Sequence, residues 1–102
     1  MTLEQFRATL SNDSSPTVAP ALQALWYDAR GDWDTAHEMA NGVEDRTGAW
    51  VHAYLHRKEG DLGNAAYWYD RAGQPVATDS LDAEWDRIAR ALLGPFSLSR
   101  SR

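Results

Sequence analysis

Cysteine is absent from this chain of 102 residues. Its absence removes disulfides, thiolate nucleophiles and cysteine-type zinc sites, and is compatible with a reducing compartment. Positive charge is also scarce: 10 Lys and Arg against 15 Asp and Glu leave a net charge of −5. That balance argues against a nucleic-acid binder, because neutralising phosphates takes clustered Lys and Arg. Arg100 and Arg102 lie in a serine-rich end, which reads as a flexible, solvated tail over 96–102. No apolar run approaches the roughly 20 residues of a membrane span. Met1 to Leu10 mixes charged with apolar residues and lacks the apolar stretch of a signal peptide. The expectation is a cytoplasmic protein with neither a nucleic acid nor a membrane as partner. Catalytic motifs are missing too. Ser11, Ser14, Ser15, Ser97 and Ser99 fall in loops or the tail, with no G-x-S-x-G elbow. Gly60 to Gly63 is followed by no Lys-Ser/Thr pair, so it is a helix turn and no phosphate loop. No catalytic residue is assigned, and the pattern leans away from an enzyme.

What the chain does have is helical punctuation. Thr2 with Gln5 forms a capping-box pattern before Leu3, Phe6 and Leu10, which predicts a helix over 3–10. A Ser/Asn/Asp/Pro-rich loop follows to Ala19. Pro20 opens a second helix with Leu22, Leu25, Trp26 and Ala29 on its apolar face, and Gly31 stops it. Asp32 caps a third helix, whose face is Trp33, Ala36, Met39, Ala40 and Val43. Asp45 or Thr47 caps a fourth helix over about 48–59; Gly60-Asp61 then repeats the stop-and-cap device for a fifth, ended by Gly73 and Pro75. Thr78 to Ser80 open a sixth, with the stripe Leu81, Trp85, Ile88 and Leu92 and a close at Gly94-Pro95. No segment alternates as a strand does. The expectation is one all-α domain over 1–95, of five to six helices in antiparallel helix-turn-helix units.

Two of those units match at an offset of 29 residues: Ala24 with Ala53, Gly31 with Gly60, Asp32 with Asp61, Ala36 with Ala65. The glycine turns the chain, the aspartate caps the returning helix, and the alanines let paired helices approach closely. Over residues 20–73 this pattern resembles the tetratricopeptide repeat and its Sel1-like relatives. It departs from them in period, which is about 34 residues in the tetratricopeptide unit. The resemblance implies stacked helical hairpins, with the first and sixth helices acting as caps. The stretch His52 to Gly73 is also similar to one in a group of uncharacterised bacterial proteins, a likeness that carries no function.

Two residue groups could carry function. His52 and His56 lie four apart on the fourth helix and Glu59 follows three later, so all three fall within about 60° of arc. Such a face can hold a divalent metal or a small ligand, and His37 on the preceding helix could reach the same groove. Tyr69 is expected nearby. Against a zincin stands Ala53, where that motif needs Glu. The opposing account makes the histidines core polar residues, hydrogen-bonded to a carboxylate or carbonyl. The second group is Asn64, Tyr67 and Arg71 on the fifth helix, with Trp68 at the edge, a composition typical of interaction hot spots; packing under a neighbouring helix is its alternative. Trp50, Tyr54 and Arg57 face away from the histidines, so the fourth helix should be buried on both sides. His37-Glu38, Arg57-Lys58-Glu59 and Asp82 to Asp86 read as solvated charged faces. The favoured function is a binding module for a protein partner or a homodimer. The alternative is a ligand- or metal-binding protein, in one version a hydrolytic enzyme, and a divalent metal is the one cofactor the pattern suggests.

Overall fold

A computed structural model of the chain describes residues 1–94; the expected tail and Pro95 lie outside the described residues. The described chain is all-helical: α1 (Leu3–Ala8), a 3-10 turn (Thr9–Ser11), α2 (Pro20–Ala29), α3 (Trp33–Asn41), α4 (Arg46–Glu59), α5 (Leu62–Ala72) and α6 (Leu81–Leu93). No described helix is long and apolar enough to cross a membrane.

The boundaries follow local chemistry. The Thr2–Gln5 capping box is formed in both directions. Asp45 caps α4 by accepting from the amides of Thr47 and Gly48, and Ser80 caps α6 through Ala83. α4 therefore starts two residues earlier than the sequence suggested, because the cap is Asp45 and Thr47 lies inside the helix. The first helix is shorter than expected: its last turn tightens to a 3-10 turn, where Thr9 Oγ1 donates to the Phe6 carbonyl. Gly48 is required by close approach. A Cβ there would lie 2.2 Å from the Val43 carbonyl oxygen.

The 29-residue repeat is visible in the backbone. Asp32 and Asp61 have nearly the same dihedrals (φ −104, ψ 73 and φ −91, ψ 78), and each caps its helix through the amide three residues on. Gly31 and Gly60 both take positive φ, 86° and 91°, which a residue with a Cβ adopts only under strain. The amide of Asp32 donates to Tyr27 and that of Asp61 to His56, both at 2.9 Å.

α4 touches α2, α3, α5 and α6, which is why its sides are buried nearly all round. The main core joins Phe6, Leu22, Leu25, Trp26, Val51, Leu55, Trp85 and Ile88; Ala53, Ala65 and Tyr69 form a smaller one between α4 and α5. Trp26, Trp33 and Trp85 each donate their indole N–H to a carbonyl of another segment, at 3.0 to 3.2 Å. α1 and α6 do not cap opposite ends of a stack. Phe6 stacks on Trp85 at 5.8 Å, and α6 lies across both α2 and α4. With two hairpins alone, one helix can cover the apolar faces of both first helices, and the chain closes on itself.

The charge clusters read as solvated faces are partly interior. Glu84 is 0% exposed; it accepts from Arg57 at 2.7 Å and from the Tyr69 hydroxyl. Asp28, also buried, accepts from Tyr54 at 3.1 Å and Lys58 at 3.0 Å. Burial first, then these carboxylates, push the Tyr54 and Tyr69 hydroxyls upward in pKa. Asp86 pairs with Arg7 of α1. Charge runs are read as surface by default; here a cation or hydroxyl from another helix compensates each buried carboxylate.

Candidate functional site: a three-histidine cluster

The site lies where α3, α4 and α5 meet. On α3, Trp33 and His37 are one turn apart and stack, with ring centroids 4.8 Å apart and planes 9° apart. On α4, His52 and His56 are likewise one turn apart and stack at 4.9 Å. The α3–α4 packing then brings the edge of His37 against both, at 4.5 Å from His52 and 5.1 Å from His56. Trp68 of α5 closes the other side, stacked on His52 at 3.9 Å and 10°. The three imidazoles are thus walled by two indoles. One nitrogen from each histidine lies within 4.8 Å of the other two.

The hydrogen bonding is incomplete. His56 is satisfied: its Nδ1 lies 2.7 Å from Glu59 Oε2. Among the described residues, the buried His37 Nε2 and His52 Nδ1 have no hydrogen-bond partner. Each such orphan costs about 1–3 kcal/mol. The electrostatics keep two rings neutral near pH 7. Burial, reinforced by His37 and His56, pushes His52 down to about 4. His37 is lowered by burial and His56, against the opposing pull of Glu59, Asp34 and Glu38. Neutral imidazole is the form that binds metals.

The arrangement suits a first-row divalent ion. Zinc bonds imidazole at 2.0–2.1 Å, which places tetrahedral ligand atoms about 3.3 Å apart. The cluster would close by small rotations of side chains that already converge. Glu59, holding His56 through Nδ1, leaves the Nε2 lone pair for a metal, the arrangement in which a carboxylate orients a ligating imidazole from behind. A second set, His56, Glu59 and Asp61, also has its donor atoms within 4.8 Å of one another, at the exposed edge.

His37, His52, His56 and Glu59 are brought together by the fold. Tyr69 is not among them, since its hydroxyl is turned to Glu84. Of the second candidate group, Tyr67 is 54% exposed, Asn64 and Arg71 are exposed, and Trp68 is half-buried against His52. Arg71 lies over the Tyr67 and Trp68 rings and donates to the Tyr67 hydroxyl at 3.3 Å. Asn64 serves the cap of α5, donating to Asp61. The two groups therefore share a border at Trp68. A cavity of about 570 Å³ opens beside them, with His52, Trp68, Arg46 and Arg71 in its lining. The residue that sequence reasoning missed is Trp33, legible one turn before His37, at i, i+4. Trp68 was placed in the interaction group, and its contact with His52 left no local signal.

No protein-family model matches the chain, and neither the curated proteins nor the solved structures contain a match to it.

Proposed function

We propose that this chain is a metal-binding protein that holds one divalent transition ion, of the zinc or cobalt kind, through His37, His52 and His56, with Glu59 orienting His56. The observation that carries the reading is the convergence of three ring nitrogens within 4.8 Å while two buried imidazole nitrogens lack a partner. A purely structural histidine core would be expected to satisfy those nitrogens, as buried polar groups generally are. The scaffold, in this reading, is a tetratricopeptide-like pair of hairpins closed by α1 and α6.

The test is isothermal titration of tag-free, chelator-stripped protein with Zn2+, with native mass spectrometry to count ions. One ion per chain is expected, with His52→Ala and His37→Ala each weakening binding by at least about 100-fold and Glu59→Gln by about 10- to 100-fold. Stripped wild-type protein that takes up no Zn2+ at micromolar concentration rules the reading out.

A second reading, a protein-interaction module, draws on the outer face of α5, where Tyr67 is 54% exposed beside Arg71. The partner would be another protein or a second copy. A wild-type mass above the monomer that falls on Tyr67→Ala supports the homodimer; a strictly monomeric wild type removes it.

A further inference from the structure

Which ion suits His37, His52 and His56 depends on what else can reach it, a question that rests on the metal reading above. Among the described residues, neither nearby carboxylate joins the three-histidine group; Glu59 and Asp61 converge with His56 alone. Glu59 stands behind His56, with Oε2 2.7 Å from Nδ1. Asp61 caps α5, with Oδ1 accepting from the Asn64 amide at 3.2 Å and Oδ2 from its side chain at 3.0 Å. The described donor set is therefore three imidazoles and no anion. It is also shielded from water. His52 and His56 are 3% and 8% exposed, and His37 Nε2 and His52 Nδ1 are buried. Aromatic rings cover the imidazole faces: Trp33 stacks on His37, and both Trp68 and His56 stack on His52.

We propose that these three imidazoles also bind Cu+, as a three-coordinate ion, and more tightly than Zn2+. Coordination number is the first reason. Zinc takes four ligands, either four protein groups or three and a water. Here a fourth protein donor is missing from the group, and a water would have to enter among packed aromatic rings. Cu+ has a filled d shell and is stable with linear or trigonal ligation, so three imidazoles complete its shell. Charge is the second reason. Taking an ion out of water costs free energy that grows with the square of its charge, so the penalty for Cu+ is about one quarter of that for a divalent ion of similar size. Uncharged imidazoles neutralise none of that charge, which leaves the divalent ion at the greater disadvantage. Imidazole is a ligand for copper as well as for zinc. The chain has no cysteine, so selection for Cu+ comes from coordination number and charge and not from thiolate softness. Cu2+ prefers a tetragonal shell that three nitrogens do not supply, so the bound copper stays reduced.

The experiment uses tag-free, chelator-stripped full-length protein under anaerobic, chloride-free conditions. Cu+ is supplied as its bicinchoninate complex, and transfer to the protein is read from the loss of the chelate's colour. One Cu+ per chain is expected, held at least about 100-fold more tightly than Zn2+. X-ray absorption should show three nitrogen scatterers and no fourth ligand. Ag+, which shares the charge and the filled shell, should displace bound Zn2+ in native mass spectrometry. His37→Gln alters the least buried of the three; it should weaken Cu+ binding by at least about 100-fold while the helical circular dichroism is kept. If His37→Gln binds Cu+ as tightly as the wild type, the copper lies elsewhere and the inference falls. Cu+ bound more weakly than Zn2+, or with a fourth ligand, overturns the inference and leaves the zinc reading intact. Uptake of Cu+ without uptake of Zn2+ does the reverse. Uptake of neither overturns both.

Discussion

Acidification should destabilise the metal-free protein through His52, well before its carboxylates are protonated. His52 is 3% exposed, and its pKa is held at about 4 against an ordinary 6.5. The folded state therefore refuses a proton that the unfolded chain accepts. Stability is complete above pH 6.5, falls as the pH drops below that value, and stops falling on this account below about 4. A proton refused across that interval costs about 1.4 kcal/mol for each pH unit, so the full loss is about 3 kcal/mol, of which about 2 kcal/mol has gone by about pH 5. His37, lowered by the same burial, adds in the same direction. The lowered carboxylates Asp45, Asp61 and Asp79 contribute only further down, because their stabilisation is lost as pH falls below the ordinary value of 3.8. The assay is urea unfolding of stripped protein between about pH 7.5 and 5, followed by tryptophan fluorescence. His52→Leu removes the titrating group and should flatten the curve by about 2 kcal/mol over that range. A variant whose stability falls as steeply as the wild type's would refute the assignment. Zinc should steepen the wild-type dependence, since protons then compete with the ion for the same nitrogens.

Three further outcomes can be checked by denaturation. Gly48→Ala forces a Cβ to within 2.2 Å of a backbone oxygen, so about 3 kcal/mol should be lost, read as a lower urea midpoint. Glu84→Ala strands Arg57 and the Tyr69 hydroxyl in the interior and should cost about 3–5 kcal/mol by the same assay; Glu84→Gln, which still accepts hydrogen bonds, should cost less. Asp32→Ala and Asp61→Ala should each cost about 1 kcal/mol, and by similar amounts, because the two caps share one geometry; a large difference in melting temperature would deny the equivalence of the two turns.

Helix identities and most caps were legible in the sequence because they are set within a turn or two of chain, although α1 and α3 end earlier and α4 begins earlier than expected. Thr2, Asp32, Asp45, Asp61 and Ser80 all accept from amides two or three residues on, and Gln5 accepts in return from the Thr2 amide. The repeat was legible for the same reason: glycine at positive φ followed by a capping aspartate is a local device. The burial of α4 on both sides followed from its composition, aromatic on one face and histidine-bearing on the other. The candidate site was legible in halves. His52, His56 and Glu59 share a face because of helical periodicity alone.

The joining of those halves was a matter of packing. His37 meets His52 and His56 because of how α3 is rotated and crossed on α4, and Trp68 meets His52 because of how α5 returns along it. Glu84 and Asp28 are interior because Arg57, Tyr69, Tyr54 and Lys58 come to them from other helices. Local hydrogen bonds and periodicity act between near neighbours and leave a readable pattern. Crossing angles depend on the summed packing of many side chains far apart in the chain. Six helices and one histidine-bearing face are therefore written in short stretches of sequence; a three-imidazole cluster walled by indoles exists only once the helices have packed.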